Sequence, residues 1–195
     1  MQKLSNLDRK YENFRWFFTS NNVLVVGGKS DEQNETALDN FLKPNYTIMH
    51  TTAPGSPFMI IQSDNPTKTD LEETAIFCAC FSQQWKLGKR LVEIDVFLGN
   101  QVYKQKGMKT GTFGLKGTKK TLKVKPELVL VIQNGKLKAV PKTTKQEKIA
   151  EIKQGSLSKL EAAEKISKII RNKYAFPISK DEILQAIPSD KLSIR

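Results

Sequence analysis

The chain has 195 residues and a formal net charge of +12, from 32 Lys and Arg against 20 Asp and Glu. Because 38% of its residues are hydrophobic, it can bury a core, which excludes a disordered tail. Its apolar runs are far shorter than the ~20 residues of a membrane helix, and its charged N-terminus lacks the apolar stretch of a signal peptide. We therefore expect a soluble, cytoplasmic protein without a membrane partner.

The positive charge is concentrated in one part of the sequence. Residues 1–98 carry 10 basic and 12 acidic side chains, residues 99–145 carry 12 and 1, and residues 146–195 carry 10 and 7. A local excess of this size most often contacts phosphate, in nucleic acid or on an anionic membrane surface. The alternative is a lysine-rich face that only keeps the protein in solution.

The first part of the chain predicts a β-hairpin followed by a helix. The apolar segments 14–18 and 23–26 enclose a short polar turn, which is typical of a hairpin. Ser30 and Gln33 have the spacing of a capping box, which predicts a helix from there to about Leu42.

A second hairpin and a second helix follow. Segments 46–52 and 57–62 flank a Pro-Gly turn and predict the hairpin. A capping box at Thr69 and Glu72 then predicts a helix that ends at Gly88.

The basic region predicts strands and turns. Segments 92–98 and 101–105 flank Gly-Asn and predict a third hairpin, and segments 127–133 and 136–140 flank Asn-Gly and predict a fourth. Between these hairpins, residues 106–120 contain four glycines and five lysines, which predicts a flexible basic loop or strand edge.

The last part of the chain predicts mainly helix. Residues 142–145 resemble a linker, and capping boxes predict helices after Ser158 and Ser179. We expect an α+β fold, mainly an antiparallel sheet built from hairpins with two packed helices, plus a small C-terminal helical appendage. The predicted domain is 1–141, and the linker and appendage are 142–195.

Few side chains offer catalytic or metal-binding chemistry. Cys78 and Cys80 lie two apart on the second helix, so we expect buried free thiols. With His50 as the only histidine, the sequence predicts no metal site and no cofactor. Ser56 could pair with His50, but no nucleophile elbow surrounds it, so no catalytic residue is assigned.

Glycine and lysine recur together at two places, which favours phosphate binding. The turn Gly27-Gly28-Lys29 precedes a helix N-terminus, where anions are attracted, although an ordinary tight turn is the alternative. In the basic region, glycines let backbone amides approach phosphate while lysines supply charge. The lysines assigned to nucleic-acid binding are Lys29, Lys104, Lys106, Lys109, Lys116, Lys119, Lys120 and Lys123.

The order of the segments carries a family resemblance. FRWFFTSN is followed by VVGGKSDEQNE, YTIMHTTAPGSPFMII, FSQQWK and VFLGNQVYKQKGMKTGTFGLKG. This order, over about residues 12–133, closely resembles the NFACT-R family, the RNA-binding domain of ribosome quality control factors. The resemblance is to a standalone member, and it implies RNA, either tRNA or rRNA, as the ligand. The ribosome and an RNA-modifying enzyme are the further partners that it implies.

The family's motif positions identify a candidate pocket. They fall on Trp16, Phe17, Gly28, Lys29, Asn34, His50, Ser56, Ser82, Trp85, Lys106, Gly107, Gly111, Phe113 and Gly117. Of these, the polar or turn-forming residues that could converge on a ligand are Gly28, Asn34, His50 and Ser56.

Two functions from different classes follow from these observations. The first is an RNA-binding protein in ribosome quality control, translation or RNA processing, which contacts phosphates through its Lys/Gly-rich hairpin region. The alternative is an RNA-modification enzyme or subunit that uses the region of Asn34, His50 and Ser56. DNA is an alternative ligand for the same basic surface.

Overall fold

The computed structural model describes residues 6–174 and 178–195. Residues 1–5, which the predicted domain includes, and residues 175–177 lie outside the described residues. The described part contains α-helices and antiparallel sheets, which confirms the predicted α+β class.

The largest sheet has six strands, all paired antiparallel. In spatial order they are β1 (Arg15–Phe18), β2 (Leu24–Gly27), β4 (Met59–Ile61), β3 (Thr47–Thr51), β5 (Val92–Leu98) and β8 (Lys120–Val124). A second sheet contains β10 (Lys136–Pro141), β9 (Leu128–Gln133), β11 (Ala150–Leu157) and β12 (Leu192–Ile194), and a third pairs β6 (Val102–Tyr103) with β7 (Gly114–Leu115).

The helices lie between and after these strands. They are α1 (Asp31–Phe41), α2 (Lys68–Cys80), α3 (Gln83–Lys86), α4 (Lys159–Lys173) and α5 (Lys180–Ala186), with short 3-10 segments at Asn6–Asn13 and Gly99–Gln101. Within residues 6–174 and 178–195, none of them is long and apolar enough to cross a bilayer.

Each face of the six-stranded sheet buries its own apolar cluster, because successive side chains of a strand point to opposite faces. Phe17 and Val25 belong to the cluster that includes α2 and the second sheet. Trp16 and Val26, their neighbours in sequence, belong to the cluster that includes α1. Strand β1 therefore places Arg15 on the α2 side of the sheet, two residues from Phe17.

The hairpins predicted from the strongest turn signals are confirmed. Strands β1 and β2 pair across a turn in which Asn22 has a φ of 60°, and β3 pairs with β4. Strands β9 and β10 pair across Asn134 and Gly135, whose φ values of 50° and 74° are those of a type I′ turn.

The hairpin predicted for segments 92–98 and 101–105 is wrong. Strand β5 is an inner strand whose two edges are already occupied by β3 and β8, so it cannot also pair with β6. The Gly-Asn sequence instead forms a 3-10 turn, in which Gly99 N donates to Tyr46 O at 2.9 Å. The chain then leaves this sheet, and β6 pairs with β7.

The N-cap of helix α2 lies two residues before the predicted one. Thr67 and Asp70 form the capping box, with Thr67 N donating to Asp70 Oδ2 at 2.8 Å, so the prediction of Thr69 and Glu72 is wrong. Asp70 also accepts a hydrogen bond from Thr19 Oγ1 at 2.6 Å, which explains why this cap is the one used. The predicted single helix to Gly88 is interrupted, because α2 ends at Cys80 and α3 starts afterwards.

The C-terminal part contains the two predicted helices and two strands that the sequence pattern did not indicate. Ser158 and Ser179 cap α4 and α5 as predicted. Strand β11 pairs with β9 and β12, so residues on both sides of position 141 form one sheet. Its sequence, AEIKQGSL, lacks the apolar run or strict alternation that identifies a strand. The predicted domain boundary at 141 stays a prediction.

The side chain of Gln133 joins the second sheet to the edge of the first. Its Oε1 accepts from Phe18 N and its Nε2 donates to Phe18 O, both at 2.8 Å. One side chain thus satisfies both backbone groups of an edge-strand residue, and Gln133 is only 3% exposed.

Candidate nucleic-acid interface

A cleft of about 330 Å³ opens where α1, α3 and α4 begin. Four cationic side chains line this basic cleft: Arg15, Lys29, Lys86 and Lys159. Asp31 is the only carboxylate among the described residues that line it. The cleft therefore has a strong excess of positive charge.

Arg15 lies at the inner wall of the basic cleft. Its guanidinium carbon is 4.1 Å from the centre of the Phe81 ring, at the end of α2. Its Nε is buried and has no hydrogen-bond partner among the described residues. Burial lowers the pKa of Arg15 to about 10, so it is charged at neutral pH.

Lys29 is held by the turn that leads into α1. Its backbone N donates to Gln33 Oε1 at 3.1 Å, and its Nζ donates to Asn13 O at 3.0 Å. Burial lowers the pKa of Lys29, and the nearby charges of Arg15 and Lys136 lower it further.

Lys86 and Lys159 come from segments far apart in sequence. They are brought together by Asp190, whose O accepts from Trp85 Nε1 at 3.1 Å and whose Oδ1 accepts from the backbone N of Lys159 at 2.8 Å. Burial and the charge of Arg15 lower the pKa of Lys159; Asp190 opposes this shift and Lys86 adds to it.

A smaller cavity of about 80 Å³ shares Arg15 and Lys29 with the basic cleft and adds Lys136 and Lys138. Lys138 Nζ lies 3.9 Å from the centre of the Trp16 ring. Lysine side chains therefore continue from the basic cleft along strand β10.

Three of the four predicted pocket residues line the basic cleft, where their contacts are structural. Gly28 is required because a Cβ there would lie 2.5 Å from Asn34 Oδ1. Asn34 Oδ1 accepts from Phe58 N at 3.3 Å, and Ser56 Oγ accepts from Thr51 N at 2.9 Å. Gly28, Asn34 and Ser56 thus shape the wall that carries the cations.

His50, the fourth, does not line this cleft. Its Nδ1 lies 2.6 Å from Thr51 O, a carbonyl to which the nitrogen can only donate, and its ring is 4.7 Å from that of Phe58. Burial lowers the pKa of His50, which favours the neutral ring at pH 7. His50 therefore lies behind the wall of the cleft, where it interacts with the Ser56 backbone, and it does not line the cleft with the other three.

The two cysteines are buried free thiols, as predicted. Burial raises the pKa of Cys78 to about 12, so the thiol is protonated and unreactive. Across the described part of the chain, no three His, Cys, Asp or Glu side chains cluster in a way that could hold a metal ion.

The predicted lysines of the basic region divide into two sets. Lys104, Lys119 and Lys123 form ion pairs with Glu35, Asp95 and Glu93. The other four, which we call the open lysines, are exposed and have no carboxylate at ion-pair distance among the side chains that the structure describes: Lys106, Lys109, Lys116 and Lys120.

Sequence reasoning missed three of the four cations of the basic cleft. Arg15 is a charged residue at the start of an apolar strand, which was the available signal that it needs a special environment. Lys86 and Lys159 gave no such signal, because only the tertiary fold brings them together.

Residues 13–117, more than half of the chain, match the family described as the NFACT protein RNA binding domain. The chain belongs to this family. The NFACT-R match includes Arg15, Lys29 and Lys86 of the basic cleft, whereas Lys159 lies beyond it.

Named relatives cover different parts of the chain. The archaeal Rqc2 homolog aRqcH of Methanocaldococcus jannaschii is 29% identical over 203 aligned positions, which cover 96% of this chain and 30% of that protein. The ribosome quality control complex subunit NEMF of Homo sapiens is 30% identical over 79 positions, 38% of this chain and 7% of that protein. The Drosophila melanogaster NEMF homolog is 30% identical over 120 positions, 57% and 12% of the two chains. This chain thus spans less than a third of each of these three relatives.

A solved structure shares the fold. The C-terminal part of the fibronectin/fibrinogen-binding protein from Streptococcus suis superposes with a TM-score of 0.53 at 22% sequence identity. The match covers 58% of this chain and 45% of that one. At this identity the likeness supports the architecture alone.

Proposed function

We propose that this protein binds structured RNA, tRNA or rRNA, in ribosome quality control, and that it contacts RNA phosphates through the open lysines. Membership of the NFACT RNA-binding family supports the class of ligand. The names of the relatives, Rqc2 homolog and ribosome quality control complex subunit, support the process. The ribosome is the corresponding partner.

The observation that carries the proposal is the set of open lysines itself. An ammonium group already paired with a carboxylate gives up that interaction when it binds phosphate, whereas an exposed unpaired one only releases counterions. Lys116 is also 5.1 Å from the centre of the Tyr103 ring, which orients one of these charges. The open lysines therefore offer four ammonium groups to a phosphate backbone at low cost.

Glycines form the turns of the loop that carries these lysines. Gly107, Gly111 and Gly117 have positive φ values of 94°, 75° and 76°. Gly111 N donates to Glu35 Oε1 at 2.8 Å, and Glu35 also pairs with Lys104. The carboxylate thus fixes the loop against α1, while the open lysines form no ion pair with any carboxylate that the structure describes.

The test is the salt dependence of tRNA binding. Replacing Lys106, Lys109, Lys116 and Lys120 with Gln should weaken binding strongly, and should reduce the slope of log affinity against log salt by about 1 for each phosphate that is no longer neutralised. Fluorescence anisotropy with labelled tRNA at several salt concentrations measures both quantities, and competition with duplex DNA compares the two nucleic acids.

A matched control removes the same charge elsewhere. Lys145, Lys165, Lys168 and Lys173 are exposed and have no ion pair among the described residues. Their replacement with Gln lowers the net charge equally, so the slope should change little. Equal slopes for the two quadruple variants would overturn the assignment to the open lysines, and salt-independent binding would overturn the electrostatic mechanism.

A further inference from the structure

We infer that the basic cleft binds a phosphomonoester group, at the end of an RNA strand or on a small phosphorylated molecule. The inference deepens the proposed function and rests on it only for RNA as the source of the phosphate. It concerns a different set of residues from the open lysines.

The charge of the basic cleft fits a dianion better than a phosphodiester. Four cationic side chains face one carboxylate, that of Asp31. A phosphodiester carries one negative charge, whereas a phosphomonoester carries about 1.5 to 2 at pH 7. A terminal phosphate therefore neutralises more of this excess than an internal one.

Arg15 supplies the recognition group at the inner wall. A planar guanidinium matches two phosphate oxygens, and it is the side chain most used for this purpose. A buried donor without a partner costs stability, and Arg15 Nε is such a donor among the described residues. An anion in the cleft would provide the negative charge and the hydrogen-bond acceptor that Arg15 lacks.

The lysines are also held in an arrangement that an anion stabilises. Burial and the charge of Arg15 lower the pKa of both Lys29 and Lys159. Such mutual repulsion disfavours the charged forms, and a dianion between them reverses the effect. The cations therefore repel one another until a negative group enters.

The basic cleft also has space beyond the phosphate and an uncharged hydrogen-bond donor in its wall. The volume of about 330 Å³ is at the lower end of the range for small-molecule pockets and exceeds what a phosphate group alone fills. The loop between α5 and β12 contributes Pro188 and Ser189, and the Ser189 hydroxyl has no hydrogen-bond partner within the described ranges. The cleft therefore has room for more of the ligand than its phosphate group.

The experiment compares ends of one short single-stranded RNA. The probes are that RNA with a 5′-phosphate, with a 3′-phosphate and with hydroxyl ends, together with AMP and inorganic phosphate as competitors at constant ionic strength. At least one phosphorylated RNA should bind about tenfold more tightly than the hydroxyl-ended RNA, and AMP should remove this difference.

Variants of the cleft lysines test whether the preference for a phosphorylated end arises in the basic cleft. Replacing Lys86 and Lys159 together with Gln should abolish the preference for the phosphorylated end, while hydroxyl-ended RNA binds as before. Lys89→Gln with Lys168→Gln is the matched control, because Lys89 is near Lys86, Lys168 is also on α4, and neither lines the basic cleft. Thermal denaturation confirms that both double variants are folded, and Arg15→Gln is an independent second variant.

The outcomes separate the two proposals. Equal affinity for phosphorylated and hydroxyl-ended RNA, together with no binding of AMP or inorganic phosphate, overturns the inference. If AMP binds through Lys86 and Lys159 but RNA does not bind at all, the cleft is a phosphate site for a small molecule. That result supports the inference and overturns the proposed function. A preference that survives in the Lys86 and Lys159 variant places the phosphate elsewhere and also overturns the inference.

Discussion

The guanidinium carbon of Arg15 lies 4.1 Å from the centre of the Phe81 ring, and the Nε beside it is buried without a hydrogen-bond partner among residues 6–174 and 178–195. The ring holds the cation at the wall of the basic cleft but does not neutralise it. Interaction with an aromatic face contributes about 0.5–2 kcal/mol, which is less than the cost of leaving a buried charge unpaired. We therefore expect Arg15 to lower the stability of the fold.

Replacement of Arg15 should stabilise the protein and weaken anion binding. Arg15→Met keeps the volume and the packing against Phe81 while removing the buried charge, so the free energy of unfolding should rise by about 1 kcal/mol. Urea denaturation gives this change, and anisotropy with phosphorylated RNA gives the decrease in binding. A less stable variant would show that the cation and the ring contribute more than the unpaired Nε costs.

The setting of Lys138 makes stability depend on pH. Burial lowers the pKa of Lys138 to about 7, and the charges of Arg15, Lys29 and Lys136 contribute to the shift. In the unfolded chain the pKa is about 10.4. Between these two values the unfolded state binds more protons than the folded state, so stability rises with pH.

Lys138→Met should remove this rise. For the wild-type protein, we expect the free energy of unfolding to increase between pH 7 and about pH 10 with a slope below about 1.4 kcal/mol per pH unit. Below pH 7 the cost of the charged Lys138 is fully present, so the variant should have its largest advantage there. Urea unfolding of both proteins at intervals of pH measures the difference, and parallel curves would contradict the assigned shift.

Gly28 should tolerate no side chain. In Gly28→Ala the new Cβ meets the backbone and Oδ1 of Asn34 at the start of α1, so we expect a destabilisation of about 2–3 kcal/mol. Gly88→Ala is the control, because a Cβ there has open space and only the positive φ of 69° is strained, at a cost of about 1–2 kcal/mol. Thermal or urea denaturation ranks the two variants. If Gly88→Ala were the more damaging, close packing of Gly28 would not be its role.

Local signals in the sequence predicted local structure well. Ser30 caps α1 and Asn134-Gly135 makes a hairpin, because both depend on residues within one turn of the chain. The prediction of Thr69 as the cap was wrong, since Asp70 of the capping box that forms also accepts a hydrogen bond from Thr19, which approaches only in the folded protein. The predicted pairing of β5 was wrong for the same reason, because its partners β3 and β8 lie far away in sequence.

The candidate site was predictable in its charge but not in its geometry. A count of lysines located the basic region, yet it could not show that Lys104 and Lys119 are paired with acids from other strands and helices. The basic cleft combines Arg15, Lys86 and Lys159, which are separated by most of the chain. Only tertiary packing places such residues together.

The hydrogen bonds of Gln133 to Phe18 protect an edge of this sheet from pairing with strands of other chains. An unprotected edge strand offers its backbone to any extended peptide, and edge-to-edge growth leads to aggregation. The Gln133 amide occupies both backbone groups of Phe18 on β1. At the opposite edge, β8 carries exposed Lys120 and Lys123. Lys120, which we propose as an RNA contact, and Lys123 therefore also disfavour pairing of this edge with a second copy of the chain.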